Sequence, residues 1–332
     1  MKNAVLPKSD VLKSYIFKGK EMLLFVSGRT DIPAFYADWF MHRIREGFVS
    51  VRNPYYGQQV TRYKLTPDVV DCFVFCTKNP APILPHLEEL RSFGFGLYFF
   101  VTITPYGKDI EPNVPEKSEV IESTAELSRL LGAEKVCWRY DPIFVDQTYS
   151  VSLHIREFRK MAEMLRGKTN RCIISFIDLY EKTKKNFPTV EEVTLTDQQF
   201  LAQAFSRVGG ETGIRIETCA EKSDLSAYGV EAGACVSRQV IESALGFSLV
   251  SSLPRQNLRR HCGCIATHDI GAYNSCPHLC RYCYANYDAA LVRKNFARHN
   301  PESSFLLGGA LPDDDVHEAK QVSFRDGQLG LW

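Results

Sequence analysis

Three features of the sequence predict its fold class: short apolar runs alternating with helical patterns, polar residues gathered at the ends of those runs, and cysteines crowded near the C-terminus. The chain reads as an α/β protein. A parallel (β/α)6-type partial TIM barrel occupies residues 1–225, a Cys-rich segment over 226–299 closes the barrel mouth, and 300–332 form a polar tail.

The composition suits a packed core. Of 332 residues, 45% are hydrophobic and 12% aromatic, which excludes a disordered or fibrous chain. Forty basic residues against 39 acidic ones leave a net charge of +1, so no global field points to nucleic acid or an anionic membrane. There is no apolar stretch long enough to span a bilayer and no signal-peptide h-region, so a cytoplasmic location and no membrane partner are expected.

The first strand is expected over 22–27 (MLLFVS), followed by a helix with Pro33 near its start and Phe35, Trp39, Phe40 and Ile44 at helical spacing. The second strand is 71–76 (DCFVFC), with a helix running to about Ser92, and the third is 96–104 (GLYFFVTIT). A helix over 118–131 leads to the fourth strand, 135–140 (KVCWRY); a helix over 152–165 leads to the fifth, Arg171–Phe176. Thr196 and Gln199 read as a capping box opening a helix that stops at Gly209-Gly210, before a sixth strand over 213–218. Strands alternating with helices imply parallel βαβ units. The barrel is preferred over an open doubly wound sheet because Asp31, Lys78, Thr102, Thr104, Arg139, Ser175 and Glu217 fall at strand ends, where barrel chemistry sits. The bland reading of each is a helix cap or a solvated loop residue.

Five of the eleven cysteines fall within residues 262–283, where about 0.7 would fall at random. In a reducing compartment such crowding points to metal or redox chemistry. Cys276, Cys280 and Cys283 form a C-x3-C-x2-C spacing, which can hold three corners of a cubane cluster and leave the fourth iron open. A zinc site with His278 or His261 as fourth ligand is the sober alternative. Cys219, Cys235, Cys262 and Cys264 form a second group that could close an auxiliary cluster or a structural zinc. The Cys-x-Cys pair mildly favours a cluster, and the bland reading makes Cys219 and Cys235 buried small hydrophobes. Cys72, Cys76, Cys137 and Cys172 lie in strand-like runs and read as core.

The triad with Tyr282 before its last cysteine resembles the signature of radical S-adenosylmethionine (radical SAM) enzymes. The resemblance implies a [4Fe-4S] cluster whose open iron chelates S-adenosylmethionine (SAM), reductive cleavage to a 5′-deoxyadenosyl radical, and an external electron donor. The segment from Asp269 to Asn286 is similar to a bacterial family without assigned function that carries a radical-SAM-like cysteine cluster near its C-terminus. So are Ser27-Gly-Arg-Thr-Asp-Ile-Pro-Ala-Phe-Tyr36, Thr77-Lys-Asn-Pro80, Thr102-Ile-Thr104, Ile110-Glu-Pro112 and Trp138-Arg-Tyr-Asp-Pro142, so that the similarity covers nearly the whole chain.

Taken in order, these segments resemble spore photoproduct lyase and its relatives, in which the cluster loop precedes them. Here it comes last, so the chain resembles a circularly permuted radical SAM partial barrel. Permutation is physically reasonable because chain termini often lie close together. Asp31, Lys78, Thr102, Arg139 and Ser175 are then the expected cofactor-binding residues, with Lys78 a partner for the methionyl carboxylate and Arg139 an anion clamp. Gly209-Gly210-Glu211 matches the family's glycine-rich amine site in letters but reads as a helix C-cap. Arg255, Arg259, Arg260, Arg281, Arg293, Lys294 and Arg298 make the C-terminal third locally basic, which suits either a phosphate-bearing partner or an anionic cluster. The rival class is a non-enzymatic iron–sulfur or zinc protein that binds nucleic acid or another protein. No Walker loop, HExxH or GxSxG elbow is present, so hydrolase and kinase readings have no support.

Overall fold

The structure, a computed structural model, describes residues 23–255 and 262–326. His261, Arg259 and Arg260 lie outside the described residues. In chain order the strands are β1 (Leu23–Phe25), β2 (Phe48–Arg52), β3 (Gln59–Lys64), β4 (Cys72–Thr77), β5 (Gly96–Thr102), β6 (Val136–Ile143), β7 (Arg171–Phe176), β8 (Arg215–Cys219), β9 (Glu231–Gly233), β10 (His268–Asp269) and β11 (Asp315–Glu318). The α-helices are α1 (Ile32–Phe35), α2 (Ala37–Glu46), α3 (Leu87–Ser92), α4 (Lys117–Leu131), α5 (Val151–Leu165), α6 (Glu181–Asn186), α7 (Leu195–Thr212), α8 (Arg238–Leu245) and α9 (Ala289–Ala297).

Eight strands form one parallel sheet in the order β10-β1-β4-β5-β6-β7-β8-β9. From β1 to β9 the row follows the sequence, without the order reversal of a doubly wound sheet. Right-handed crossovers between successive neighbours place their helices on one face. That face buries Phe73, Phe75, Phe99, Trp138 and Ile174 against Trp39, Phe40, Leu127, Phe158 and Phe205 of the helices. The rings of Trp138, Phe158 and Phe205 stack in series at 4.6 and 3.8 Å. The opposite face carries Val74, Tyr98, Phe100, Cys137 and Ile173 under α8 and the Cys-rich segment. Burial on both faces explains why β4, β5 and β7 are continuous apolar runs instead of alternating ones.

The sequence predicts six strands; the sheet has eight. The two missed strands are three and two residues long at the sheet edges, too short to show a periodicity. A second sheet, β11-β3-β2, was also missed, and it draws residues expected to be a surface tail into pairing with β3. The expected capping box shifts by two residues: Thr194 caps α7 by accepting from the backbone N–H of Asp197. Gly209 and Gly210 lie inside α7, which ends at Gly213 with φ 76°. Gly209 is a packing glycine, since a Cβ there would lie 2.4 Å from the Ile214 carbonyl oxygen.

His154, fully buried on α5, faces the Tyr140 hydroxyl through Nδ1 and the Phe144 carbonyl through Nε2, both at 2.8 Å. The neutral ring satisfies both, with Nε2–H donating and Nδ1 accepting. Burial lowers its pKa to about 4. Below its unfolded value of about 6.5 the unfolded chain binds the extra proton, so folding loses about 3 kcal/mol as pH falls from about 6.5 to about 4. Urea midpoints across that window should fall in the natural protein and fall less in His154→Gln, which keeps a donor and an acceptor without the titration.

Candidate metal centre

Asp31 follows β1 and is 5% exposed. Its carboxylate caps α1 by accepting from the Ala34 N–H (3.1 Å) and also accepts from the Lys78 backbone N–H (2.8 Å) beyond β4. His278 Nε2 lies 2.9 Å from the same carboxylate, in the loop that carries Cys276 and Cys280. The other ring nitrogen faces the Asn113 carbonyl oxygen at 3.3 Å, and Asn113 Nδ2 donates to the Pro277 carbonyl at 2.8 Å. Both ring nitrogens of His278, the expected alternative zinc ligand, are directed at oxygen atoms.

The cysteine loop is fixed from its far side too. Asn286 Nδ2 donates to the Cys276 carbonyl (2.7 Å), the Tyr36 hydroxyl to the Ser275 carbonyl (2.5 Å), and the Ala285 N–H to the Cys283 sulfur (3.4 Å). Leu279 and Asn274 adopt positive φ (56° and 53°), and Ala220, next to Cys219, has φ 58°. Among the described residues these are the non-glycine positive-φ positions, and each lies within two residues of a candidate ligand.

Cys276, Cys280 and Cys283 line a cavity of about 150 Å³ with Asp31, Lys78, Thr102 and Cys76. All of these follow or end strands β1, β4, β5 and β10 at their C-terminal ends. Burial pushes the three thiols up, and for Cys280 the Lys78 ammonium is the main opposing influence. Lys78 Nζ lies 2.8 Å from Glu111, whose other oxygen accepts from Lys117 at 2.9 Å. Thr104 donates to Glu111 at 2.6 Å, and Tyr282 donates to it as well. Burial alone would raise the Glu111 pKa, but the two lysines and these hydrogen bonds outweigh it and hold the group at about 2. Tyr282, in the aromatic slot of the motif, thus ties the cysteine loop to a buried ion cluster.

The other expected cofactor residues stand apart from this cavity. Arg139 pairs with Asp141, and its Nη1 lies 4.0 Å from the Cys76 sulfur. The Ser175 hydroxyl donates to Glu221 at 2.7 Å. Thr104 serves Glu111, and Glu217 pairs with Arg171 and Arg215. Arg281 lies over the Phe187 ring at 4.4 Å. Sequence reasoning missed Cys76, placed in the core but lining the cavity, and the role of Glu111, whose signal was its place in the Ile110-Glu-Pro112 segment. Cys72, Cys137 and Cys172 are fully buried, as expected. A separate hollow of about 270 Å³, lined by Arg91, Lys135, Leu245 and Arg325, opens by the N-terminal end of β5 and contains no cysteine.

A second thiol group lies on the inner face. The sulfurs of Cys219, Cys235 and Cys264 all lie within 4.8 Å of one another, fully enough gathered that this buried triad could bind a metal. Cys262 stands near the Cys264 thiol but outside this close group. Hydrogen bonds from Cys235 and Cys264 push the Cys219 thiol down.

An α/β protein with a parallel sheet and thiol groups on its inner face and at its strand ends is the class these features define. Over residues 23–285 the chain matches a family described as a domain of unknown function (DUF1848), and it belongs to that family. No curated protein matches it. Among the described residues no helix is long and apolar enough to cross a membrane.

Glu111→Ala should destabilise the fold by about 3–5 kcal/mol, because it leaves the Lys78 charge buried without its partner. Adding Lys78→Met to that variant should recover part of the loss in urea unfolding. Equal stability of Glu111→Ala and the natural protein would show that the ion cluster does not hold the site.

Proposed function

We propose that this protein is a radical SAM-type iron–sulfur enzyme that holds a [4Fe-4S] cluster on Cys276, Cys280 and Cys283. One observation carries the reading: three thiols at C-x3-C-x2-C spacing line one cavity, on the loop after β10, and β10 pairs in parallel with β1. Taken from β10, the row of strands runs in the order of a partial barrel whose cluster strand has been moved to the end of the chain. This supports a circularly permuted partial barrel. The donor set fits the cluster, since burial disfavours bare thiolates at these three cysteines and a bound metal would take the place of their released protons.

When bound, such a cluster supplies the electron that cleaves SAM reductively. The chain's own residues orient and exclude. Asp31 and Asn286 fix the loop, Tyr282 and Glu111 set its distance from Lys78, and Thr102 and Cys76 close the floor. Lys78 keeps donors beyond the one given to Glu111 and is the residue assigned to the methionyl carboxylate. The cluster needs an external electron donor; the substrate, a small molecule or a nucleic acid, is open. A cavity of 150 Å³ is smaller than the 300–1,000 Å³ usual for small-molecule sites, so the reading requires it to widen around SAM. That same size favours the second reading, a non-enzymatic iron–sulfur protein that binds a partner.

Anaerobic reconstitution followed by a SAM-cleavage assay separates the two. The enzyme reading expects 5′-deoxyadenosine, lost together with the cluster in Cys276→Ala/Cys280→Ala/Cys283→Ala. Lys78→Ala should keep the cluster and weaken SAM binding by about 1.5–3 kcal/mol. A cluster that forms but yields no 5′-deoxyadenosine with any reductant would leave the binding protein.

A further inference from the structure

The geometry points to a second metal site, independent of the first: a single thiolate-bound zinc ion held by Cys219, Cys235 and Cys264, with Cys262 as the fourth ligand, joining the two edges of the sheet across its inner face.

The ligands come from both ends of the strand row. Cys219 ends β8, and Cys235 follows β9 at one edge. Cys262 and Cys264 lie in the segment that leads into β10 at the opposite edge. Among the described residues nothing pairs β9 with β10, so their joint is made by this segment. Backbone contacts bring it to the Cys235 loop: the Ile265 N–H donates to the Val236 carbonyl at 2.7 Å, and the Val236 N–H donates to the Cys264 sulfur at 3.4 Å. Arg171, anchored on Glu217, grips the same loop by donating to the Ala234 and Cys235 carbonyls at 2.6 and 3.1 Å. An N–H aimed at sulfur, on a loop clamped by a buried guanidinium, is the kind of support that orients a metal-bound thiolate.

Spacing selects the occupant. Four thiolates at about 2.3 Å from one zinc lie roughly 3.5–4 Å apart. Three of these sulfurs fall within 4.8 Å of one another, and Cys262, outside that close group, must move in to complete the set. A cubane puts each thiolate on a different iron and spreads the set further. Among the described residues no other trio of His, Cys, Asp or Glu gathers its ligand atoms so tightly, and Cys276, Cys280 and Cys283 do not. The two thiol groups therefore differ in kind. Compact packing outweighs the mild preference of the Cys-x-Cys pair for a cluster. Soft thiolates in a closed tetrahedral set select zinc among divalent ions, and a closed set has no open position for substrate. Arg139, paired with Asp141, places a cation near Cys219 and Cys235 and offsets part of the negative charge of the thiolates.

The test is elemental analysis of the full chain, purified anaerobically from zinc-supplemented cells. About one zinc per chain is expected, and it should remain in Cys276→Ala/Cys280→Ala/Cys283→Ala. Cys219→Ser/Cys264→Ser should lose the zinc while keeping the iron and sulfide bound by the other triad. Because that variant could fail to fold, cobalt(II) is also exchanged into the natural protein, where the visible bands of tetrahedral thiolate coordination should appear and be abolished by added zinc. Four outcomes would overturn the site: no zinc and no cobalt spectrum; iron and sulfide retained in the Cys276, Cys280 and Cys283 triple variant; zinc lost in that variant; or a disulfide among Cys219, Cys235 and Cys264. None of these depends on SAM cleavage, so a failure here is distinct from a failure of the enzyme reading.

Discussion

A carboxylate buried at the end of a strand must be matched by donors, and Asp31 gathers them from three separate parts of the chain. It caps the first helix, accepts from the backbone beyond β4, and lies 2.9 Å from an imidazole of the cysteine loop. The residues it joins are 247 positions apart at the extreme, yet they meet because β10, near the end of the chain, pairs with β1 at its start. Without that two-residue ladder the cysteine loop would have no reason to stand over β4 and β5. Gly28 and Asp269 keep the two strand ends close: a Cβ at Gly28 would lie 2.0 Å from the Asp269 carboxylate, which would have to shift to admit it. Arg29 then holds Asp269 from the other strand, at 3.1 Å.

Local periodicity made the central strands legible. The runs that became β4, β5 and β7 are largely apolar on both faces, and burial on both faces is what a covered parallel sheet requires. The grouping of Cys276, Cys280 and Cys283 around one cavity was legible for a similar reason, since residues on one tight loop must be close in sequence. What the sequence hid depends on contacts between distant segments. The strands β9 and β10 carry no pattern of their own and exist because neighbours offer unpaired backbone groups. Glu111 is one acid among 39 acidic residues until folding places two lysines, a threonine and a tyrosine around it. Ser175 stands near the end of β7 as expected, whereas Arg139 lies inside β6, which runs on to Ile143; each found a carboxylate partner within the protein and left the cavity to Cys76 and Thr102.

The two thiol groups divide the work that the sequence alone could not apportion. One lies at the strand ends, lines a cavity and is flanked by a lysine and an aromatic hydroxyl, a setting for chemistry. The other, the buried triad of Cys219, Cys235 and Cys264, brings the segment before β10 to the ends of β8 and β9, a setting for structure. A metal in the second would draw the segment before β10 toward β8 and β9, and thereby help to seat β10 beside β1. The staple at the back and the site at the mouth share no ligand, so each can be emptied without the other.

The central claim is that a cluster on Cys276, Cys280 and Cys283 keeps one iron open to SAM. Electron paramagnetic resonance of the reduced, reconstituted protein tests it most directly. If SAM binds that iron, adding it should change the spectrum of the reduced cluster, and the change should be absent when the three cysteines are replaced. A cluster spectrum unaltered by saturating SAM would mean that no iron is open to it, and would contradict the account.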